Sequence, residues 1–214
     1  MVRIVATSDF HGQLPEIPEC DLLLICGDIC PNQHLGYQAL WLDVPFRNWL
    51  KQVPAKEIVG IAGNHDFIFA KEDHLVPPGL RWHYLKDSSI ELFGLKIFGT
   101  PWQLPFYGIF NLDEEKLEKQ YSTVPKDIDI FISHAPPFGI FDEVPRKGPA
   151  DFMEHTGSVS LRNKVLEIQP KLFVCGHIHC SPGICKIDKT TFANVSLLDD
   201  HMKATNPPVL FNIE

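Results

Sequence analysis

Residues 2–12 read VRIVATSDFHG: an apolar run that breaks abruptly into polar residues, with Asp9 and His11 just past the break. The same unit recurs along the chain. DLLLIC (21–26) runs into GDICPN, and EIVGIA (57–62) into GNHDF. DIDIFI (127–132) runs into SHAPP, and KLFVC (171–175) into GHIHC. Short runs rich in Ile, Val, Leu and Phe read as strands buried on both faces, as in sheets covered by other layers on each side. Each of the five delivers an Asp, Asn or His at its C-terminal end, the edge where ligands bind in open α/β sheets.

Helical patterns separate these runs. FRNWLKQV (46–53) follows Pro45, a residue suited to a first turn. DEEKLEKQY (113–121) opens on acids that suit a helix N-terminus. SVSLRNKVLEIQP (158–170) offers Ser158 as a cap and Pro170 as a stop. SSIELFGLKIFGT (88–100) and GICKIDKTTFANVS (183–196) each read as two strands around a turn. The expected architecture is α/β, with two packed sheets flanked by helices in one domain spanning 1–214.

Composition narrows the function classes. At 214 residues, 44% hydrophobic and 21% charged, the chain is an ordinary globular sequence. A formal charge of −8 argues against a protein that grips extended nucleic acid. No stretch is apolar enough to span a bilayer, and MVRIVATSDFHG turns polar too early for a signal peptide. The expectation is a cytoplasmic protein whose six cysteines are mostly buried reduced thiols.

The polar strand ends collect Asp9, His11, Asp28, Asn64, His65, His134, His177 and His179. Residues two apart on an extended chain point the same way, so Asp9 with His11 and His177 with His179 can face one centre. Any one of these residues alone would be read as a strand-end cap. Together, carboxylates, imidazoles and an amide oxygen suit Mn, Fe, Ni or Zn ions rather than an all-oxygen calcium cage or a thiolate knuckle. Seven ligands exceed one such ion and suit two ions about 3.5–4 Å apart, which activate a shared water and clamp phosphoryl oxygens. His65 is then left as a non-ligand imidazole, a candidate general acid for a leaving oxygen.

The blocks DFH, GD, GNHD, SH and GHIH, in that order across residues 9–179, resemble the calcineurin-like metallophosphoesterases. The resemblance implies a four-layer αββα sandwich of two mixed sheets, the metallo-dependent phosphatase fold. It implies one metal held by Asp9, His11, Asp28 and His179, and a second by Asp28, Asn64, His134 and His177. Asp28 bridges them, manganese being the first expectation. His65 corresponds to the leaving-group histidine and Asp66 to an acidic position that supports it, although its side chain would also suit a turn cap.

FRNWL with IVGIAGNHDFIF, FGTPWQLPFYGIFNL (98–112), SHAPPFGIFD (133–142) and LRNKVLEIQPKLFVCGHIH (161–179) are similar to the small metallophosphoesterase-domain-containing proteins, relatives of class III cyclic-nucleotide phosphodiesterases. That similarity implies hydrolysis of small phosphodiesters, cyclic nucleotides or aryl esters, by a metal-activated hydroxide. A phosphomonoesterase, a nuclease or a non-catalytic scaffold are the alternatives. After Asp28 the chain reads ICPNQH and lacks the DRG of Ser/Thr protein phosphatases.

Phe10 and Trp102 fall in loops near the expected metal edge and are candidate substrate contacts, with Gln103, Phe106 and Phe138 behind them. Arg47 and Arg162, in helical patterns, read as solvated or paired. His34, His74, His83, His155 and His201 read as surface or packing residues.

Overall fold

Alternation along the buried strands sorts the core before any helix is considered. In β1 (Val2–Thr7), Ile4 and Ala6 face one side and Val5 the other. In β2 (Cys20–Cys26), Leu22, Leu24 and Cys26 face with Ile4, and Leu23 and Ile25 face away. Each strand therefore feeds two cores and needs cover on both faces.

The computed structural model describes residues 1–146 and 152–214. After β2 come α1 (Leu35–Trp41), a π turn (Leu42–Phe46), α2 (Arg47–Gln52) and β3 (Ala55–Ile61). Then follow α3 (Ile68–Lys71), β4 (His83–Tyr84), β5 (Ser88–Leu92), β6 (Leu95–Thr100) and α4 (Glu114–Ser122). Beyond them lie β7 (Ile130–Ser133), β8 (Glu143–Arg146), β9 (Phe152–His155) and α5 (Val159–Ile168). The chain finishes through β10 (Leu172–Cys175), β11 (Gly183–Ile187), β12 (Thr190–Asn194) and β13 (Val209–Ile213).

One sheet has the order β13-β1-β2-β3-β4, parallel except for the β13 edge. The other runs β11-β12-β10-β7-β6-β5, parallel except at its two edges. Ile4, Leu22 and Val59 of the first sheet meet Ile97, Ile130 and Val174 of the second in the central core. The outer face of the first sheet is covered by Trp41, Phe46 and Leu50, and that of the second by Leu117, Tyr121 and Leu161. The result is the expected four-layer αββα sandwich.

Several local expectations are corrected or completed. Pro45 does not open a helix: it lies inside the π turn, where its missing N–H interrupts a helical run that starts earlier, at Leu35. His34 caps that run through Nδ1, which accepts from the Tyr37 N–H at 3.3 Å. Strand β13 closes the first sheet from the C-terminal side, an element not expected from the sequence although Asn206, Pro207 and Pro208 mark a turn directly before it. Ser158 caps α5 as expected, its Oγ accepting from Leu161 N at 3.1 Å. Arg47 is paired with Asp43 and the carbonyls of Pro78 and Gly79, and Arg162 reaches the Phe138 carbonyl.

Of the cysteines, Cys20, Cys26, Cys30 and Cys175 are buried, Cys185 is half-buried and Cys180 is exposed; all are free thiols. No helix among the described residues is long and apolar enough to cross a membrane.

A candidate metal centre at the strand ends

The loops that leave β1, β2, β3, β7 and β10 converge, and the backbone bends sharply to bring them together. Asp9, His11, Asp28 and His177 have φ of 57°, 42°, 50° and 68°. Such left-handed non-glycine residues are costly and persist only where surrounding contacts hold them. The glycines in front of the polar residues permit the close approach. A Cβ on Gly63 would lie 2.3 Å from Asp28 Oδ1, and one on Gly176 would lie 2.2 Å from Asp9 Oδ2.

All seven expected ligands meet in one cluster. Donor atoms of Asp9, His11 and His179 lie within 4.8 Å of one another, as do those of Asp9, Asp28 and His134. His11 Nε2 and His134 Nε2 lie 3.6 and 3.5 Å from Asp28 Oδ2, and His179 Nε2 lies 3.4 Å from Asp9 Oδ1. Asn64 Oδ1 sits 2.9 Å from His134 Nε2 and 3.0 Å from His177 Nδ1. Its amide is turned that way because Nδ2 donates to the Tyr107 carbonyl at 2.8 Å.

Three of the imidazoles are anchored through the nitrogen that faces away. Nδ1 of His134 meets the Cys26 carbonyl at 2.9 Å, Nδ1 of His179 the Asp199 carbonyl at 3.2 Å, and Nδ1 of His11 the Asn32 Oδ1 at 3.2 Å. With the proton on Nδ1, each Nε2 presents its lone pair to the centre, the arrangement by which metal-binding histidines are oriented. Asp9 is braced by Ser196 Oγ at 2.8 Å and by the His177 N–H. Asn32, Ser196 and Asp199 were not singled out in the sequence, where single polar residues beyond a strand end carry no motif.

Electrostatics ask for positive charge here. Burial alone would raise Asp9 and Asp28, but the neighbouring imidazoles, His179 for the first and His134 for the second, hold both carboxyls well below the usual carboxylate range. Against their burial, His134 is pushed up to about 9 by Asp28 and His179 to about 9 by Asp9. Burial and the charge of His134 push His177 down to about 3.

The cluster fits transition-metal ions. His134 is fully buried with oxygens at both ring nitrogens. Its Nε2, Asn64 Oδ1 and Asp28 Oδ2 need either a second ring proton or a shared cation between them. The 3.4–3.6 Å separations between Nε2 atoms and carboxylate oxygens are too long for hydrogen bonds. They are near the roughly 3.0–3.4 Å that separates donors placed about 2.1 Å from one ion.

The remaining candidates fall in different places. His65 lies beside the cluster, its ring 4.9 Å from that of His11, with Nδ1 buried and without a hydrogen-bond partner among the described residues. Burial holds it below the usual imidazole range. Asp66 does not support that ring. Its Oδ1 accepts from Cys30 N at 2.8 Å, and its Oδ2 from Gly63 N at 2.8 Å and Ile29 N at 3.2 Å. It is a positioning residue that ties the loop after β2 to the loop after β3.

Phe10 is placed in the core rather than in a pocket: it is fully buried and edge-on to Trp49 at 5.5 Å, because its backbone turns Asp9 and His11 inward and sends the residue between them outward. Trp102 does line the cleft, with Nε1 donating to Asp87.

That cleft has a volume of about 580 Å³. The donor cluster and His65 form one wall, the β6–α4 loop a second, and the β8–β9 hairpin a third. Among the described lining residues its one cationic side chain other than histidine is Arg146, which is paired with Glu154.

A sequence model described as calcineurin-like phosphoesterase matches residues 2–181. The human protein named metallophosphoesterase domain-containing protein 1 is 32% identical over 99% of this chain and 71% of its own length. A Caenorhabditis elegans UPF0046 protein is 30% identical over 99% of this chain and 81% of its own. A solved protein of Thermus thermophilus superposes with a TM-score of 0.62 over 100% of this chain and 99% of that one, and at 16% identity it speaks for the fold alone.

Proposed function

The chain belongs to the calcineurin-like phosphoesterase family of metal-dependent phosphoester hydrolases, and on that premise we propose that it hydrolyses small phosphodiesters at the strand-end cluster. The observation that carries this reading is the convergence of seven nitrogen- and oxygen-donor side chains, two of them the buried carboxylates Asp9 and Asp28, with His65 beside them and outside the donor set. The family implies a dinuclear divalent site. Asp9, His11, Asp28 and His179 suit one ion, Asp28, Asn64, His134 and His177 the other, and the mixed donors favour manganese, with iron, nickel or zinc as alternatives. Two ions bound there would supply Lewis acidity to the phosphoryl group and to the attacking water.

The chain's own groups do the rest. Asp28 accepts the backbone N–H of His65 through Oδ1 and presents Oδ2 to His11 and His134, so the loop that carries the acid and the ligands are held as one unit. The negative charge of an ester bound beside it favours the protonated form of the His65 ring against the burial that disfavours it. That proton passes to the leaving oxygen as the P–O bond breaks.

The diester preference rests on charge. A monoester dianion calls for cations beyond the centre, and the cleft's Arg146 is engaged with Glu154. A diester carries one negative charge fewer. The test is to strip the protein with chelator, return Mn²⁺ and measure hydrolysis of bis-(p-nitrophenyl) phosphate and p-nitrophenyl phosphate. Metal-restored turnover with the diester preferred is expected. A metal-replete protein inert to both overturns the hydrolase, and a monoester preference overturns the substrate class.

A further inference from the structure

Asp142 is a fully buried carboxylate outside the donor cluster, and its oxygens are used at the base of the β8–β9 hairpin. Oδ2 accepts from Gly157 N at 2.9 Å, and the Asp142 carbonyl accepts from Thr156 N and Thr156 Oγ1, both at 3.0 Å. Oδ1 lies 2.7 Å from Nδ1 of His155, the last residue of β9. The carboxylate can only accept there, so the ring proton sits on Nδ1 and Nε2 is turned away from Asp142. On its other side the imidazole meets the Phe138 ring, 5.1 Å away and inclined by 50°. A histidine that reads from the sequence as a surface or packing residue is thus oriented by a buried acid.

That imidazole lines the cleft, and its side chain is 40% exposed. Nε2 makes no hydrogen bond among the described residues, since Glu143 Oε1 at 3.5 Å is too far for one. The hairpin is also tied to the metal centre. Glu143 pairs with His155 across β8 and β9, and its carbonyl accepts from Cys180 Sγ at 3.5 Å, one residue beyond the candidate ligand His179. The hydrogen bond to Asp142 raises His155 from the ordinary imidazole value against a smaller cost of desolvation, and the Glu143 charge adds to the rise. Beyond the donor cluster and His65, the described cleft walls offer two cationic groups: Arg146, which is engaged with Glu154, and His155. A buried carboxylate behind an imidazole whose outward nitrogen is unmet points to an anion arriving from the cleft.

We propose that His155 is a specificity-determining residue that sets how far phosphomonoesters can compete at this site, its Nε2–H donating to the anionic oxygen that a monoester carries and a diester does not. Asp142 is the positioning residue behind it. A hydrogen bond between charged partners is roughly twice as strong as a neutral one. In a diester the corresponding oxygen carries a carbon substituent and no charge, so it gains little from the same contact. This rests on the phosphate occupying the metal cluster and deepens the diester preference drawn from charge: His155 offsets part of the second negative charge of a monoester, and without it the discrimination is sharper.

The test is steady-state hydrolysis of bis-(p-nitrophenyl) phosphate by the Mn²⁺-loaded full chain, with p-nitrophenyl phosphate measured both as a substrate and as a competitive inhibitor of diester hydrolysis. In His155→Ala the monoester is expected to bind about ten- to a hundredfold more weakly, the range for a hydrogen bond to a charged group. KM and kcat for the diester, and the Mn²⁺ content, should stay close to those of the wild type, a split that a merely structural role would not produce. Asp142→Asn should give a smaller loss of the same selective kind, and unaltered selectivity there overturns the positioning role. His155 is exposed, so its variant does not depend on the fold surviving a change at buried Asp142. Unchanged monoester binding in His155→Ala, or an equal loss for the two esters, overturns the contact. A wild type inert to both esters overturns the phosphate site and the contact together, whereas wild-type diester turnover with undiminished monoester binding in His155→Ala removes the contact alone.

Discussion

The backbone N–H of His65 donates to Oδ1 of Asp28 at 2.7 Å, while the other oxygen of that carboxylate faces His11 Nε2 and His134 Nε2. One buried carboxylate therefore fixes both the strand-end loop that carries the candidate acid and the imidazoles on either side of the centre. The contact joins the Asp28 side chain to the His65 backbone, so removing the His65 ring leaves it in place and separates the role of the ring from that of the carboxylate. That separation makes their roles distinguishable by experiment.

Asp28→Ala is expected to lose both metals. In the proposed assignment it removes the one carboxylate shared between the two ions, and leaves Asp9 as the carboxylate within 4.8 Å of His11 and His134. Elemental analysis after dialysis against Mn²⁺ checks this: near-zero metal per chain is expected, and retention of both ions would show that Asp28 does not bridge.

His65→Ala should keep its metals and lose turnover by about a hundred- to ten-thousandfold, the range for a positioned proton donor. The decisive measurement is metal content beside kcat on bis-(p-nitrophenyl) phosphate. A metal-free His65→Ala protein would make His65 a ligand. A metal-replete variant with wild-type turnover would remove it from the proton transfer.

Much of the site was legible because each ligand ends a run of strand-forming residues, so spacing alone aims it at one edge. VRIVAT ahead of Asp9 and His11, and KLFVC ahead of His177 and His179, say where the side chains go. The layers were legible for the same reason, since residues such as Val5 and Ile4 must be covered from opposite sides. What was not legible depends on backbone torsion and long-range contact. Phe10 lies between two ligands, yet the left-handed turn at Asp9 and His11 sends its ring into the core beside Trp49. Asp66 follows His65 directly, yet its carboxylate serves three N–H groups of two loops. Tyr107 and Asn111 act through a carbonyl and a side-chain amide, which leave no pattern in a single sequence.

Thiol reactivity should follow burial. Cys26, Cys30 and Cys175 are pushed well above the ordinary thiol range by burial, and Cys20 is raised by the same cause. In the native protein a disulfide reagent is expected to modify exposed Cys180 first and half-buried Cys185 more slowly, with the other four reacting only on denaturation. Rapid native labelling of Cys26 or Cys175, traced by peptide mapping, would contradict the packing of the central strands.

Asp66→Ala should act on stability more than on chemistry. It orphans the N–H groups of Ile29, Cys30 and Gly63, which are bound by its carboxylate in a fully buried setting. A loss on the order of 3 kcal/mol follows from the cost of unmet buried donors, or a drop in Tm of roughly 6–12 °C for a chain of this size. Thermal melts of the chelated protein isolate this from metal binding. A melting point within a degree or two of wild type would show that the two loops do not depend on the clamp.

Gly63→Ala probes how tightly the loops are stacked. Its new Cβ would fall 2.3 Å from Asp28 Oδ1, 2.5 Å from Asp28 N and 2.6 Å from His134 Cε1, so either the β3 loop or the bridging carboxylate must move. Groups that orient metal ligands typically change affinity ten- to a hundredfold when disturbed, and about that loss in Mn²⁺ affinity is expected by titration calorimetry. Gly36→Ala, in α1 and 3.6 Å from the nearest side-chain atom, is the control that should bind metal as the wild type does. Equal affinities for the two variants would mean that the centre tolerates movement of Asp28, and that the glycine before Asn64 is there for the turn rather than for the approach of two ligands.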